Sequence, residues 1–196
     1  MKQYVQFTGE SVVGIKPEDG KILWKANRPG KTAVIPTPII HGDHVFVTSG
    51  YGVGCNLFKI TRTGESFKAE QVYANTEMTN HHGGVVLVGE KYIYGYSDQR
   101  GKGWTCLDML TGQSVWNSNK LGKGSIAYAD GHLICRDEGK GEIVLIEASP
   151  QGWKEKGRFQ QPERSRAQSW PQPVVSSGKL FIRDQDNLFC YDVKGK

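Results

Sequence analysis

The residues best suited to chemistry sit in a few glycine-flanked loops. Residues Asn80–Gly84 read NHHGG, and the adjacent His81 and His82 have the side chains to ligate a metal or to move protons near neutral pH. Neighbouring residues on a strand point to opposite sides, so this spacing lets at most one imidazole reach a given site. The plainer alternative is that one ring packs or hydrogen-bonds while the other is solvated. Three later loops, SDQRGKG (97–103), RDEGKG (136–141) and RDQDN (183–187), carry Asp98, Arg100, Asp137, Asp184 and Asp186. Such carboxylates could orient a ligand, but aspartate in a tight loop commonly accepts hydrogen bonds from nearby backbone N–H groups. Trp170, after the long loop QQPERSRAQS, would either floor a pocket or plug a channel.

The four cysteines, Cys55, Cys106, Cys135 and Cys190, include no CxxC pair and no adjacent pair. Zinc and dithiol redox chemistry are disfavoured, and free thiols in packed positions are expected. Cys106 and Cys190 hold the same place in two repeats, which predicts a small buried residue at both.

These loops are positioned by a repeat. One turn recurs as HGDH, VGEK, ADGH and SSGK, with glycines at 42, 89, 131 and 178. A second recurs as PEDG, TRTG, LTGQ, SPQG and VKG, with glycines at 20, 64, 112, 152 and 195. Both series share a period of 40 to 48 residues. Between the turns lie short runs rich in β-branched and aromatic residues, four per period, and no run reads as a helix of useful length. First strands are expected at 35–40, 84–88, 125–129 and 170–175. Four antiparallel strands per unit predict an all-β β-propeller, whose blades cover one another's faces by stacking.

The segment Cys106–Trp116, CLDMLTGQSVW, resembles the AxDxxTGxxxW element of PQQ-type propeller repeats at Asp108, Thr111, Gly112 and Trp116. Gly14–Trp24 keeps Gly20 and Trp24 but has Lys16 in place of the aspartate, and Cys190–Gly195 keeps Asp192 and Gly195. The resemblance implies that Trp24 and Trp116 stack between blades, against the peptide near the glycine of the next repeat. The two remaining units lack the tryptophan, and Phe67 and Phe159 are expected in its place.

The units divide the chain into blades at about 1–26 (partial), 27–74, 75–117, 118–160 and 161–196 (partial). Three full blades between two partial ones do not comfortably close a ring. The expectation is therefore a segment of a larger propeller, or a second copy that completes it. The loops between second and third strands share one face with the connections between blades. That face gathers the candidate binding residues His81, His82, Asp98, Arg100, Asp137, Trp170, Asp184 and Asp186.

Bulk properties narrow the function. The net charge of +5 is spread along the chain rather than run together, which argues against a nucleic-acid site. No apolar run is long enough for a membrane span. The N-terminus shows no signal-peptide pattern, whereas the resemblance implies a periplasmic or secreted home. Quinoprotein alcohol dehydrogenases of this repeat type use PQQ, calcium and adjacent cysteines, and those cysteines are missing here. The sequence therefore leans toward a non-catalytic, BamB-like scaffold with no cofactor, which binds a protein or small ligand. The alternative is a segment of a PQQ-dependent oxidoreductase.

Overall fold

A computed structural model describes residues 1–195 as five antiparallel sheets with no helix among the described residues. The first contains β1 (Tyr4–Phe7), β2 (Ser11–Ile15) and β3 (Ile22–Asn27). Three four-stranded sheets follow. They are β4 (Ile39–His41) to β7 (Ser66–Asn75) through β5 (His44–Ser49) and β6 (Gly54–Thr63); then β8 (Val85–Val88), β9 (Tyr92–Ser97), β10 (Gly103–Asp108) and β11 (Ser114–Ser118); then β12 (Gly124–Ala129), β13 (His132–Asp137), β14 (Glu142–Glu147) and β15 (Glu155–Gln160). The last comprises β16 (Val174–Ser176), β17 (Lys179–Asp184) and β18 (Asn187–Asp192). Each sheet is an up-and-down meander, as in a propeller blade. The expected end of the final blade at Lys196 lies outside the described residues.

Turn chemistry sets the meander. Gly89–Glu90, Asp130–Gly131 and Ser177–Gly178 all have positive φ, the two-residue hairpin whose twist matches paired strands. Two expected first strands are cut short, to Ile39–His41 and Val174–Ser176. Pro36 and Pro38 in one, and Pro171 and Pro173 in the other, have no N–H to give to a ladder.

The core lies between consecutive sheets. Trp24 and Ala26 meet Val45, Val47 and Phe58 across the first interface, and Phe46 and Leu57 meet Ile93 and Leu107 across the second. Trp104 and Cys106 meet Leu133, Cys135 and Val144 across the third. Ile134 and Ile143 meet Leu180 and Ile182 across the fourth. A blade alone would leave these side chains in water, so stacking supplies the burial.

Cys55, Cys106 and Cys135 are buried free thiols. Cys190 is exposed, contrary to the buried position expected from the repeat. Its counterpart Cys106 is buried against Leu133, Cys135 and Val144 of the sheet that follows, and among the described residues no sheet follows β16 to β18.

Candidate functional site

The loop between β7 and β8 is pinned by a buried amide. Asn80 donates through Nδ2 to the carbonyls of Gly84 (3.0 Å) and Tyr96 (2.9 Å), and its Oδ1 accepts the Gly84 N–H at 3.0 Å. Its own N–H donates to Thr48 Oγ1 at 3.1 Å, and that hydroxyl donates onward to the Met78 carbonyl. Gly83 must lack a side chain, because a Cβ there would stand 1.9 Å from the Gly124 carbonyl oxygen. So held, residues 81–83 form a bend, and β8 begins only at Val85. The two imidazoles therefore do not point to opposite sides as a strand would require. Their centroids lie 4.7 Å apart.

They form the middle of a row of four rings. Tyr51 meets His81 edge-on at 4.8 Å, and His82 meets Trp170 at 5.2 Å. The end rings are open to solvent, Tyr51 at 49% and Trp170 at 56% exposure. The His81 and His82 side chains between them are sunken, at 23% and 8%. Tyr51 holds its ring there from a left-handed backbone (φ 58°), which bulky residues rarely adopt. Gly50 lets His81 approach, because a Cβ there would lie 3.1 Å from the His81 Cα.

Charge flanks the row. Lys123 Nζ lies 2.8 Å from His81 Nδ1 and donates to Asp98 Oδ2 at 3.0 Å. An ammonium can only donate, so Nδ1 accepts and the His81 proton sits on Nε2. Burial, then the Lys123 charge, hold His81 below the ordinary histidine range, with Asp98 and Glu138 pulling the other way. On the inner side His82 Nε2 stands 3.0 Å from Glu138 Oε2. Glu138 Oε2 and the buried Nδ1 of His82 both lack a hydrogen-bond partner among the described residues.

The other expected residues scatter around this row. Asp137 spends Oδ1 on the N–H groups of Gly139 (2.7 Å) and Lys140 (2.6 Å), as a turn former. Asp184 is fully buried and accepts from Arg164, from Ser165 through Oγ and N, and from Gln161. Arg100 and Asp186 are exposed and make no side-chain hydrogen bond among the described residues. Trp170 borders a shallow depression shared with Gln168, Pro171, Arg183 and Gln185. Beside it, Ser125 Oγ donates to the Pro171 carbonyl, and Gln172 reaches the Gly83 carbonyl at 3.3 Å.

At the blade junctions, the indole N–H of Trp116 donates to the Ser149 carbonyl of the next blade at 2.9 Å. Trp24 lies against Gly14 of its own sheet, donates to Gln3, and turns its ring toward β5. Gly112 abuts Tyr73 and Asn75 of the preceding blade, whereas Gly20 faces open space and serves its turn alone. In the second blade Tyr73, not Phe67, reaches across, donating to the Met109 carbonyl at 2.7 Å. Phe159 packs at a tilt against Tyr191 of the last blade, with ring centroids 4.9 Å apart. Sequence reasoning also missed Arg28, which is 2% exposed and donates to Asn56, Ser49 and the Gly54 carbonyl. Burial pushes its pKa down to about 10.

A calcium–quinone centre would need converging oxygen ligands. Among the described residues no three His, Cys, Asp or Glu side chains converge, and no two cysteines are adjacent.

Comparison with known proteins follows the architecture. A family model described as outer membrane protein assembly factor BamB matches residues 1–118. No curated protein matches the sequence. The fold is similar to a functionally unknown protein from Desulfotomaculum acetoxidans DSM 771 (TM-score 0.64, 9% identity, 95% of this chain and 60% of that chain). It is also similar to the Cps50 (Swd1) β-propeller domain of Myceliophteria thermophila (0.60, 12%, 94% and 64%). A third likeness is to a chain of a nidogen/laminin complex (0.56, 13%, 97% and 71%). The chain thus spans less than two thirds of the length of the first two.

Proposed function

The chain belongs to the PQQ-type repeat family described as outer membrane protein assembly factor BamB, and from that premise we propose that it is a non-catalytic platform binding a protein partner on its loop-rich face. The single observation that carries this reading is the ring row from Tyr51 to Trp170. It puts two solvent-open aromatic side chains on the face that also bears the blade connections. Tyrosine and tryptophan held rigidly at a surface are the side chains that most often anchor protein interfaces. The family's description names an assembly factor, which fits a surface that holds other proteins.

Site-specific photo-cross-linking tests the reading. A benzophenone side chain is placed at Arg100 or Arg166 on the loop face, and at Lys91 or Leu110 on the hairpin face, in the cells the protein comes from. Cross-links confined to the first pair support it. Equal labelling from both faces, or none, overturns it, as does dye-linked alcohol oxidation after equilibration with PQQ and calcium.

A further inference from the structure

We infer that the junction between the β12–β15 sheet and the last sheet holds a binding site for a small, neutral, planar aromatic molecule, which supplies the ring that the other junctions carry as a side chain. Register identifies the position. In each of the first four sheets the pairing of the third strand with the outer strand slips directly after one residue: Gly14, Leu57, Cys106 and Leu145. The outer-strand partners of those residues are Trp24, Tyr73, Trp116 and Gly157. Three junctions thus place an aromatic ring at this point, and the fourth places a hydrogen atom.

The space at Gly157 stays open. A Cβ there would meet no atom within 4 Å. Gly157 lines a cavity of about 310 Å³, whose walls include Ile134, Ile143, Leu145, Leu180 and Phe159. Phe159 does not fill it. Two residues along and so on the same side of β15, that ring packs against Tyr191 and forms a wall. Val193 donates its N–H to the Gly178 carbonyl as Ala148 does to Gly131. It therefore marks the turn corresponding to the one that Trp116 reaches at Ser149, and it too borders the cavity.

Size and chemistry select the occupant. An apolar cavity of about 150 Å³ is enough to take up benzene. Small-molecule sites begin near about 300 Å³ and are lined mainly by hydrophobic and aromatic side chains. The equivalent gap in the preceding junction is filled by the flat indole of Trp116, packed between the same two kinds of sheet face. Arg158, the cation among the lining residues, is already held by Glu142 (2.6 Å) and Glu155 (2.8 Å), so an anionic ligand gains little from it. The cavity adjoins the Asp130–Gly131 hairpin, not the loop face, so this site is independent of the platform reading above.

Indole is titrated into the intact chain and followed by methyl carbon–proton NMR. Saturable shifts are expected for the methyls of Ile134, Ile143, Leu145 and Leu180. 1-Heptanol, an apolar chain without a ring, should bind at least about fivefold more weakly. N-acetyltryptophan amide, which carries the same ring on a peptide unit, should bind no more tightly than indole. Gly157→Trp supplies the ring from within the chain, so it should raise the thermal unfolding midpoint and weaken indole binding about tenfold or more. Gly157→Ala leaves the cavity open and should keep the affinity within about twofold. Circular dichroism verifies folding, and where Gly157→Trp does not fold the methyl map of the parent chain decides. Shifts that fail to saturate or fall elsewhere, heptanol binding as tight as indole, or undiminished affinity in folded Gly157→Trp overturn the inference. Tighter binding of N-acetyltryptophan amide also overturns it, and assigns the cavity to a tryptophan of another polypeptide.

Discussion

The indole N–H of Trp116 donates to the carbonyl of Ser149 at 2.9 Å, tying the outer strand of one blade to the hairpin turn of the next. The ring also lies 6.0 Å from Tyr94 and 6.5 Å from Trp153, so one side chain joins two sheets by packing and by a directed bond. Trp116→Phe keeps most of the packing and strands the Ser149 carbonyl, which should cost about 1 kcal/mol. Trp116→Ala also opens the junction and should cost about 2 to 4 kcal/mol, somewhat below a fully buried site. Urea denaturation followed by circular dichroism reads both; equal losses would show that the hydrogen bond contributes nothing.

Two turn glycines separate backbone strain from blade contact. Gly112 (φ 70°) has Tyr73 and Asn75 where a Cβ would stand, at 2.7 Å, and Gly20 (φ 73°) has open space. Both alanine variants bear the left-handed penalty of about 1 kcal/mol. Gly112→Ala must in addition displace Tyr73 from its bond to Met109, so its loss should exceed that of Gly20→Ala by about 1 to 2 kcal/mol. Similar losses for the two would mean that the junction yields freely.

The blades were legible because their signals are local. Glycine-bearing turns at a common period locate the hairpins, and the CLDMLTGQSVW run identifies Trp116 as a junction residue. Tyr73 was not legible. The β6–β7 hairpin has ten residues in each strand and a register shift at Leu57/Phe58, so its junction ring stands nine residues past Gly64, against four for Trp116 past Gly112. Arg28 was hidden for a different reason. Its acceptors Asn56, Ser49 and Gly54 lie on β5 and β6, more than 20 residues along the chain, and no local pattern announces a buried guanidinium without a carboxylate. The histidine pair was found as a pair, but its geometry follows from the Asn80 hydrogen bonds and from Gly124, a residue more than 40 positions away.

Asp184 makes acid stability testable. Burial pushes its carboxyl pKa up, but hydrogen bonds from Ser165 and Gln161 and the Arg164 charge outweigh this and hold it below the ordinary range. A carboxyl whose folded pKa is depressed stabilises the fold above its unfolded pKa of about 4. That contribution fades as the pH falls below about 4 toward the folded value. Asp184→Asn removes it at all pH values and leaves Arg164 without its anion, which should cost about 3 to 5 kcal/mol near neutrality. The variant should also lose less stability than the parent between neutral pH and pH 3. Parallel acid dependence in the two proteins would remove Asp184 from the account.

His81 should titrate below an ordinary histidine. Burial lowers its pKa most, Lys123 and His82 lower it further, and Asp98 and Glu138 act in the opposite sense. A depressed imidazole pKa means the folded state binds fewer protons than the unfolded chain around pH 6.5. The neutral ring's contribution is therefore present above that pH and lost as the pH falls. Lys123→Met deletes the adjacent cation, so the midpoint should rise. Asp98→Asn removes an attractive charge, so it should fall. Ring carbon–proton NMR follows each histidine, with His81→Gln assigning the signal, and the imidazole nitrogen shifts report whether Nε2 carries the proton. In Lys123→Met, Nδ1 loses the donor that selects the tautomer, so the two neutral forms should become mixed. A midpoint that stays fixed or drops in that variant would mean that Lys123 does not act on His81.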